Sequence, residues 1–255
     1  MDKKSDAKTL LSRANDALLL CEKQYTAKAF GFLTPTDAAI IKREFASRSF
    51  DGDIKCSFFG GYQDAERCLF LAYPSYGEDT VYEEFITLLE IKGRDINLLS
   101  HRDFLGSILG LGIKREKVGD ILCLEDRCLV FVSSDIADYI ISNLDKVSRC
   151  GVKVCAIDIN EAKIPEKKFE EIRTTVASLR LDAVVAAALK TSRTVAAEVI
   201  SEKRVSVNWQ ETENVAFKVS PGDVFSVRGK GRFKLTEEIN ETRKGRLGIC
   251  IQKAL

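Results

Sequence analysis

The sequence is poor in histidine and contains no long apolar run. Its 255 residues include a single histidine, His101. A histidine-based catalytic triad is therefore confined to His101, and no Gly-x-Ser-x-Gly motif supplies a nucleophile. No apolar stretch approaches the roughly 20 residues needed to span a bilayer. Because no hydrophobic signal region follows the first residues, we expect a cytoplasmic protein with no membrane span.

The eight cysteines do not have the spacing of a common metal site. Two pairs, Cys123/Cys128 and Cys150/Cys155, each have four intervening residues, which is the loose end of metal-ligand spacing. We therefore expect no metal and no cofactor. The cysteines are predicted to be buried free thiols that pack as small hydrophobic side chains, in a reducing compartment.

The net charge is small, but the charges are unevenly distributed. Residues 179–255 contain 14 Lys and Arg against 9 Asp and Glu, a surplus of +5. The rest of the chain has 25 against 29, or −4, so the whole chain carries +1. This distribution favours a localised basic surface on the last third of the chain over general coating of polyanions.

Hydrophobic periodicity predicts three domains, over residues 1–75, 79–162 and 175–255. The first is an α/β domain, with a helix over about residues 6–30, a helix capped by Thr34 and two strands. The second has the order β-α-β-β-α-β, which is typical of the ferredoxin-like fold that RRM domains share. Its third strand lacks the glycines and the aromatic pair of an RRM. Base stacking on this sheet is therefore not expected, and contact of this domain with RNA stays open against a scaffold role.

Two helices open the third domain. Leu181, Val184 and Val185 begin one apolar helix face, and Ser192 is a good cap for the next helix. Arg193 then stands in the first turn, where a cation opposes the helix dipole. Free backbone N–H groups beside a cation form a phosphate site. The alternative is that Arg193 pairs with Asp182.

More cations follow in this domain. Lys203 and Arg204 come at the end of the second helix, where they either contact RNA or stabilise the helix dipole. The segment Arg228–Arg232 places three cations around two glycines, which suits close approach of a phosphate backbone or, alternatively, a solvated hairpin tip. Trp209 follows a turn at Asn208, and we interpret it as a lid on the core in preference to a platform for a base.

The residue order from Leu179 to Leu235 resembles the S4 RNA-binding module, a small α-L domain. The whole chain resembles the YlmH family of bacterial S4 proteins. The supporting stretches outside the module are Phe32–Pro35, Gly60–Tyr62 with Asp64–Arg67, and His101–Gly106 through Gly110–Asp120. The resemblance implies an α+β protein that is a non-enzymatic factor of the large ribosomal subunit. It further implies binding to ribosomal RNA and peptidyl-tRNA in the rescue of stalled nascent chains, and a link to cell division.

The candidate site has no catalytic residue and consists of RNA-binding side chains. They are Arg180, Asp182, Ser192, Arg193, Lys203, Arg204, Asn208, Arg228, Lys230 and Arg232. A second candidate RNA patch comprises Arg102, Lys114, Arg115 and Lys117. The expected partners are structured RNA, namely rRNA and in addition tRNA, and the large ribosomal subunit, and the expected state is a monomer.

Two other classes of function remain alternatives. Arg180-Leu181-Asp182 is superficially similar to a pseudouridine synthase motif, so an S4-linked RNA-modifying enzyme stays open, although no second catalytic domain is visible. The other alternative is an interaction scaffold for cell division, which would tolerate loss of the basic residues. His101-Arg102-Asp103 imitates a kinase catalytic loop, but Ile108 stands where that loop needs asparagine.

Overall fold

The computed structural model describes residues 3–45, 53–75, 82–160, 162–164, 169–242 and 245–254. The chain is a mixed helix and sheet protein that forms two compact units, Met1–Ile164 and Pro165–Leu255. Within the described ranges, no helix combines the length and apolarity that a membrane crossing requires.

The first unit begins with a three-stranded antiparallel sheet and two helices. Its elements are α1 (Lys3–Gln24), β1 (Lys28–Leu33), α2 (Pro35–Phe45), β2 (Ile54–Phe59) and β3 (Cys68–Pro74), with strand order β1-β3-β2. The predicted start of α2 is confirmed, because the Asp37 N–H donates to Thr34 Oγ1 over 3.2 Å. The helix predicted over residues 6–30 was wrong at its end. The chain turns at Tyr25 with a φ of 51°, and the next segment pairs with β3.

The second half of this unit has the predicted ferredoxin-like topology. Its elements are β4 (Ile86–Gly93), α3 (His101–Gly110), β5 (Val118–Cys123), β6 (Cys128–Ser133), α4 (Ala137–Asn143), β7 (Lys146–Val147) and β8 (Cys150–Ile157). The strand order is β5-β6-β4-β8-β7, and every neighbouring pair is antiparallel. Apart from the short β7, this is the β-α-β-β-α-β pattern.

Both faces of this five-stranded sheet are covered. Helices α3 and α4 pack on one face through a core that includes Phe104, Ile108 and Ile140. On the other face, Phe131 and its neighbours pack against Phe32 of β1 and side chains of β3. The regions predicted as the first and second domains therefore share a hydrophobic core. The proposed boundary between them, at residues 76–78, lies outside the described residues.

The second unit is a six-stranded sheet with two helices packed on it. Its elements are β9 (Phe169–Val176), α5 (Leu181–Leu189), α6 (Arg193–Ser201), β10 (Val205–Val207), β11 (Gln210–Glu211), β12 (Val224–Val227), β13 (Gly231–Glu241) and β14 (Leu247–Ala254). The strand order is β11-β10-β12-β13-β14-β9. The predicted domain start at residue 175 falls inside β9, which pairs with β14 along its whole length.

The cysteines are free thiols, but their predicted burial was wrong in part. Cys21, Cys128 and Cys250 are buried, whereas Cys123 and Cys155 are exposed. Both exposed thiols lie at sheet edges. Cys123 ends the edge strand β5, and Cys155 lies on β8 beyond the two residues that pair with β7. An apolar sequence context therefore did not guarantee burial here.

Candidate RNA interface

A buried carboxylate fixes two arginines where the helices α5 and α6 begin. Asp182, only 5% exposed, accepts hydrogen bonds from Arg180 Nε at 3.2 Å and from an Arg193 guanidinium nitrogen at 2.5 Å. It also accepts the N–H of Ala183 at 3.0 Å. Burial acts to raise the pKa of Asp182, but the hydrogen bonds and charges of the two arginines outweigh it and lower the pKa. Asp182 is therefore held in its charged form, as a shared anchor for both guanidinium groups.

The two arginines remain accessible despite this pairing. Arg180 is the N-cap of α5 and Arg193 is the first residue of α6. Their side chains are 45% and 53% exposed. Ser192 caps α6, as predicted, by accepting the N–H of Val195 at 3.2 Å. Arg193 therefore pairs with Asp182 and is still about half exposed beside a helix N-terminus.

Lys218 joins this group, although no pattern in the sequence indicated it. The backbones of Arg180 and Lys218 form an antiparallel bridge, so their side chains lie side by side on one face. Lys218 is exposed. We call Arg180, Asp182, Arg193 and Lys218 the helix-start cluster. It contains three cations and one carboxylate.

A second group of cations surrounds the turn between β12 and β13. The N–H of Arg228 donates to the carbonyl of Arg204 at 2.9 Å, and Arg232 lies opposite Ser226 in the ladder. Lys230 is at the tip, between Gly229 and Gly231, which have φ values of 76° and 105°. Such values favour glycine, because a side chain there is strained. We call Arg204, Arg228, Lys230 and Arg232 the turn cluster.

Acidic side chains lie beside Lys203 and Arg204, near the turn cluster. Lys203 Nζ lies 2.9 Å from Glu213 Oε1, and an Arg204 guanidinium nitrogen lies 3.4 Å from Glu202 Oε2. All four side chains are more than 40% exposed, so these pairs contribute little stability and can exchange partners. Lys203 also has a φ of 59°. It therefore occupies a left-handed position in the turn between α6 and β10.

The two clusters are separate groups of charge. The helix-start cluster is at the first residue of α6, and the turn cluster lies beyond its last residue. A nine-residue helix is about 13 Å long. The basic surface predicted from the sequence is thus divided into two parts, at opposite ends of α6.

Asn208 is engaged inside the protein. Its Nδ2 donates to Asp223 Oδ1 at 2.8 Å, and its Oδ1 accepts the N–H of Val224 at 3.0 Å. Asn208 and Trp209 have φ values of 46° and 62°, as in the type I′ turns of tight hairpins. Asn208 therefore stabilises a turn, and we remove it from the candidate phosphate contacts. Trp209 is half-buried, and its Nε1 has no hydrogen-bond partner in the part of the chain that the structure describes.

The second candidate patch, in the first unit, is smaller than predicted. Arg102 and Lys114 are exposed, and Lys117 pairs with Asp135 at 2.5 Å. Arg115 instead donates to the backbone carbonyls of Val118 and Gly119. Burial, together with the neighbouring charge of Arg67, lowers the pKa of Arg115 to about 10. Its guanidinium serves internal contacts, so Arg115 was wrongly included in this patch.

Comparison with known proteins agrees with this architecture. Residues 82–161 match a family model described as "Putative RNA-binding domain in YlmH", and residues 179–225 match the S4 domain. The chain is 30% identical over 252 residues to "Ribosome-associated protein quality control protein P2" of Bacillus subtilis (strain 168), covering 98% of this chain and 96% of that protein. The chain belongs to the YlmH family.

A solved structure has a fold similar to part of this chain. It is "Cell division protein ylmH from Streptococcus pneumoniae", with a TM-score of 0.51 and 24% identity. The match covers 63% of this chain and 95% of that one. At this identity, the likeness supports the fold alone.

The YlmH-like stretches outside the S4 module have structural contacts in this chain. Asp120 accepts hydrogen bonds from the Tyr62 hydroxyl at 2.7 Å, from the Glu66 N–H at 2.7 Å and from the Arg67 N–H at 3.0 Å. Arg67 also donates to the carbonyls of Phe32 and Val118. These contacts join the loop before β3 to the start of β5. The stretches that identified the family thus hold the two halves of the first unit together.

Two glycines and a capping box account for further residues of these YlmH-like stretches. A Cβ at Gly119 would lie 2.6 Å from the ring of Phe32, and one at Gly61 would overlap the ring of Phe131. Asp103, in the kinase-like tripeptide, accepts the N–H of Ser100 at 2.8 Å and the Ser100 hydroxyl at 2.6 Å. The first of these bonds is one half of the capping box at the start of α3, and the Ser100 side chain, which accepts the Asp103 N–H, provides the other half. The tripeptide is therefore explained by a helix start.

The sheet face that an RRM uses for RNA is covered in this chain. Phe131, the aromatic residue of β6, is fully buried and stacks on Tyr62 with ring centroids 5.1 Å apart. Bases cannot reach it while β1 and β3 remain packed on this face. Any RNA contact of the first unit must therefore use other surfaces, such as the exposed Arg102 and Lys114.

Proposed function

We propose that this YlmH-family protein is a cytoplasmic, monomeric RNA-binding factor of the ribosome. Its S4 unit would hold large-subunit rRNA and peptidyl-tRNA during the rescue of stalled nascent chains. The observation that carries this proposal is the helix-start cluster, where buried Asp182 fixes Arg180 and Arg193 with their outer donors exposed. The name of the Bacillus relative supports the setting.

The chemistry of both clusters suits a phosphate backbone. A guanidinium has five N–H donors, so Arg180 and Arg193 keep donors for RNA after binding Asp182. Beside Arg193, the N-terminus of α6 adds partly positive N–H groups. Phosphate contacts give affinity and orientation, whereas selection among RNAs comes from their shape.

Within the S4 unit, the predicted residues have different roles in this proposal. Asp182, Ser192 and Asn208 support the surface, and Lys203 must leave Glu213 before it can contact RNA. The proposed phosphate contacts are Arg180, Arg193, Arg204, Lys218, Arg228, Lys230 and Arg232. The second patch reduces to Arg102, Lys114 and Lys117. We keep the three-domain description, with domains 1–75 and 79–162 sharing one core.

Charge reversal at both clusters tests the proposal. Arg193→Glu combined with Arg232→Glu should strongly weaken binding to a structured rRNA fragment. It should also flatten the dependence of the logarithm of affinity on the logarithm of salt concentration, by about 0.7–0.9 per lost phosphate contact. Arg173→Glu is the matched control, because Arg173 lies on β9, at the opposite edge of the sheet from β10 and β11. Unchanged affinity and slope in a folded double variant would remove the site assignment.

Two further experiments separate RNA binding from RNA modification and from a scaffold role. An RNA-modifying enzyme should leave altered bases after incubation with ribosomal RNA and a methyl donor. Mass spectrometry would locate methylated bases directly, and pseudouridine, which has the mass of uridine, after chemical derivatisation. Our proposal predicts unmodified RNA. A division scaffold should still complement a deletion strain when its basic clusters are reversed, whereas an RNA-binding factor should fail.

A further inference from the structure

Two cysteines face each other across the hairpin of β5 and β6. Cys123 and Cys128 are direct partners in the antiparallel ladder. The Leu124 N–H donates to the Arg127 carbonyl at 2.8 Å, so the next pair, Cys123 with Cys128, is a non-hydrogen-bonded pair. Cα atoms of such pairs are about 4.5 Å apart, within the range of about 4.4–6.8 Å that disulfides use.

The two thiols lie on the same face and differ in access. Direct partners in a ladder point to one side of the sheet, and here that side carries the core around α3 and α4, which includes Cys128. Cys123 is exposed and Cys128 is buried. A hydrogen bond from Cys128 lowers the pKa of Cys123, outweighing the opposing effects of burial and of Asp103. The accessible thiol of the pair is thus also the readier to form a thiolate.

We propose that Cys123 and Cys128 form an oxidant-reactive dithiol site, with Cys123 as the attacking thiol and Cys128 as the resolving thiol. Its co-reactant is hydrogen peroxide. The Cys123 thiolate attacks one peroxide oxygen, the O–O bond breaks, and hydroxide leaves and takes a proton to become water. Cys123 is thereby oxidised to a sulfenic acid. The Cys128 sulfur then attacks the Cys123 sulfur, the S–O bond breaks, and the departing hydroxyl leaves with the Cys128 proton as water.

This site is independent of the proposed RNA-binding function. The disulfide would close a four-residue turn without moving the strands, because the pair already has a suitable spacing. The hairpin should therefore keep its fold in both redox states. The other exposed cysteine, Cys155, contacts Glu90 and offers a matched comparison on the same sheet.

Peptide mapping tests the proposal directly. Trypsin cuts after Arg127, so the two thiols fall in separate peptides, residues 118–127 and 128–146, with one cysteine each. Native protein treated with hydrogen peroxide and digested without reduction should give these two peptides joined by a disulfide. Dithiothreitol should separate them, Cys123→Ser should abolish the joined species, and Cys155→Ser should leave it unchanged.

A second variant distinguishes the steps. With Cys128→Ala, Cys123 should stop at the sulfenic acid and be trapped by dimedone, at a yield well above that at Cys155. Two outcomes would overturn the proposal: peroxide-treated native protein without the joined peptides, or dimedone labelling of Cys123 no greater than that of Cys155. Circular dichroism of each variant checks that its fold is intact.

Discussion

Replacing Asp182 with asparagine separates two explanations of the helix-start cluster. If the cluster worked only through its net charge, removing a carboxylate from an RNA-binding surface would tighten binding. If Asp182 orients Arg180 and Arg193, the same change should weaken binding, although the surface becomes more positive. The geometry favours the second result, because one buried carboxylate accepts hydrogen bonds from both guanidinium groups.

The changes in RNA affinity that the two explanations predict differ enough to decide between these explanations. A carboxylate about 8 Å from a phosphate in water repels it by about 0.5 kcal/mol, which corresponds to roughly twofold tighter binding after its removal. Ordering a long side chain on binding costs about 0.5–1.5 kcal/mol. If Asp182→Asn frees both arginines, ordering them again on RNA costs about 1–3 kcal/mol. After subtraction of the electrostatic gain, we expect about a tenfold loss in affinity. The variant should also lose about 2 kcal/mol of folding stability and stay folded.

Fluorescence anisotropy with a structured rRNA fragment, at several salt concentrations, measures the affinity and its salt slope. The affinity of Asp182→Asn should fall while its salt slope stays close to that of the native protein, because the arginines still reach the phosphates. Glu198→Gln is the matched control, since Glu198 is an exposed carboxylate on α6. It should bind equally or slightly more tightly. Equal or tighter binding by Asp182→Asn would refute the orienting role.

Three further predictions follow from the contacts described above. Arg193→Gln should lower the salt slope for RNA binding by about 0.7–0.9, measured by the same titration. Gly61→Ala should destabilise the first unit by at least 1–3 kcal/mol through overpacking, whereas Gly106→Ala, in open space on α3, should stabilise it by about 0.5–1 kcal/mol; urea unfolding compares them. Burial and the Asp120 carboxylate raise the pKa of Tyr62, so the free energy of unfolding should fall as pH rises above about 10, the pKa of an unfolded tyrosine. Tyr62→Phe should reduce that fall and cost about 1 kcal/mol at neutral pH; an unchanged pH profile would contradict the assignment.

Local signals in the sequence predicted helix starts well. Thr34 and Ser192 were identified as caps from their neighbours alone, and both accept the expected backbone N–H. A cap is decided within three or four residues, so no distant part of the chain needs to be known. The order of strands and helices in the ferredoxin-like region was predictable for the same reason.

Features set by distant contacts were not predictable. Residues 28–30 were assigned to the end of the first helix, yet they belong to the strand β1, because β3 offers that strand a partner. Lys218 joined the helix-start cluster only through its pairing with Arg180. Arg115 looked like an exposed cation, but the fold brings Arg67 and two backbone carbonyls around it. The strand β3, the partner of Lys218 and the Arg67 charge beside Arg115 are all remote in sequence from the residues they affect, so periodicity and composition carry no trace of them.

Co-sedimentation with purified large ribosomal subunits tests the central claim most directly. The native protein and Arg173→Glu should pellet with the subunits at moderate salt, and Arg193→Glu combined with Arg232→Glu should stay in the supernatant. Equal pelleting of the folded double variant would contradict the claim that these two arginine clusters hold the protein on RNA.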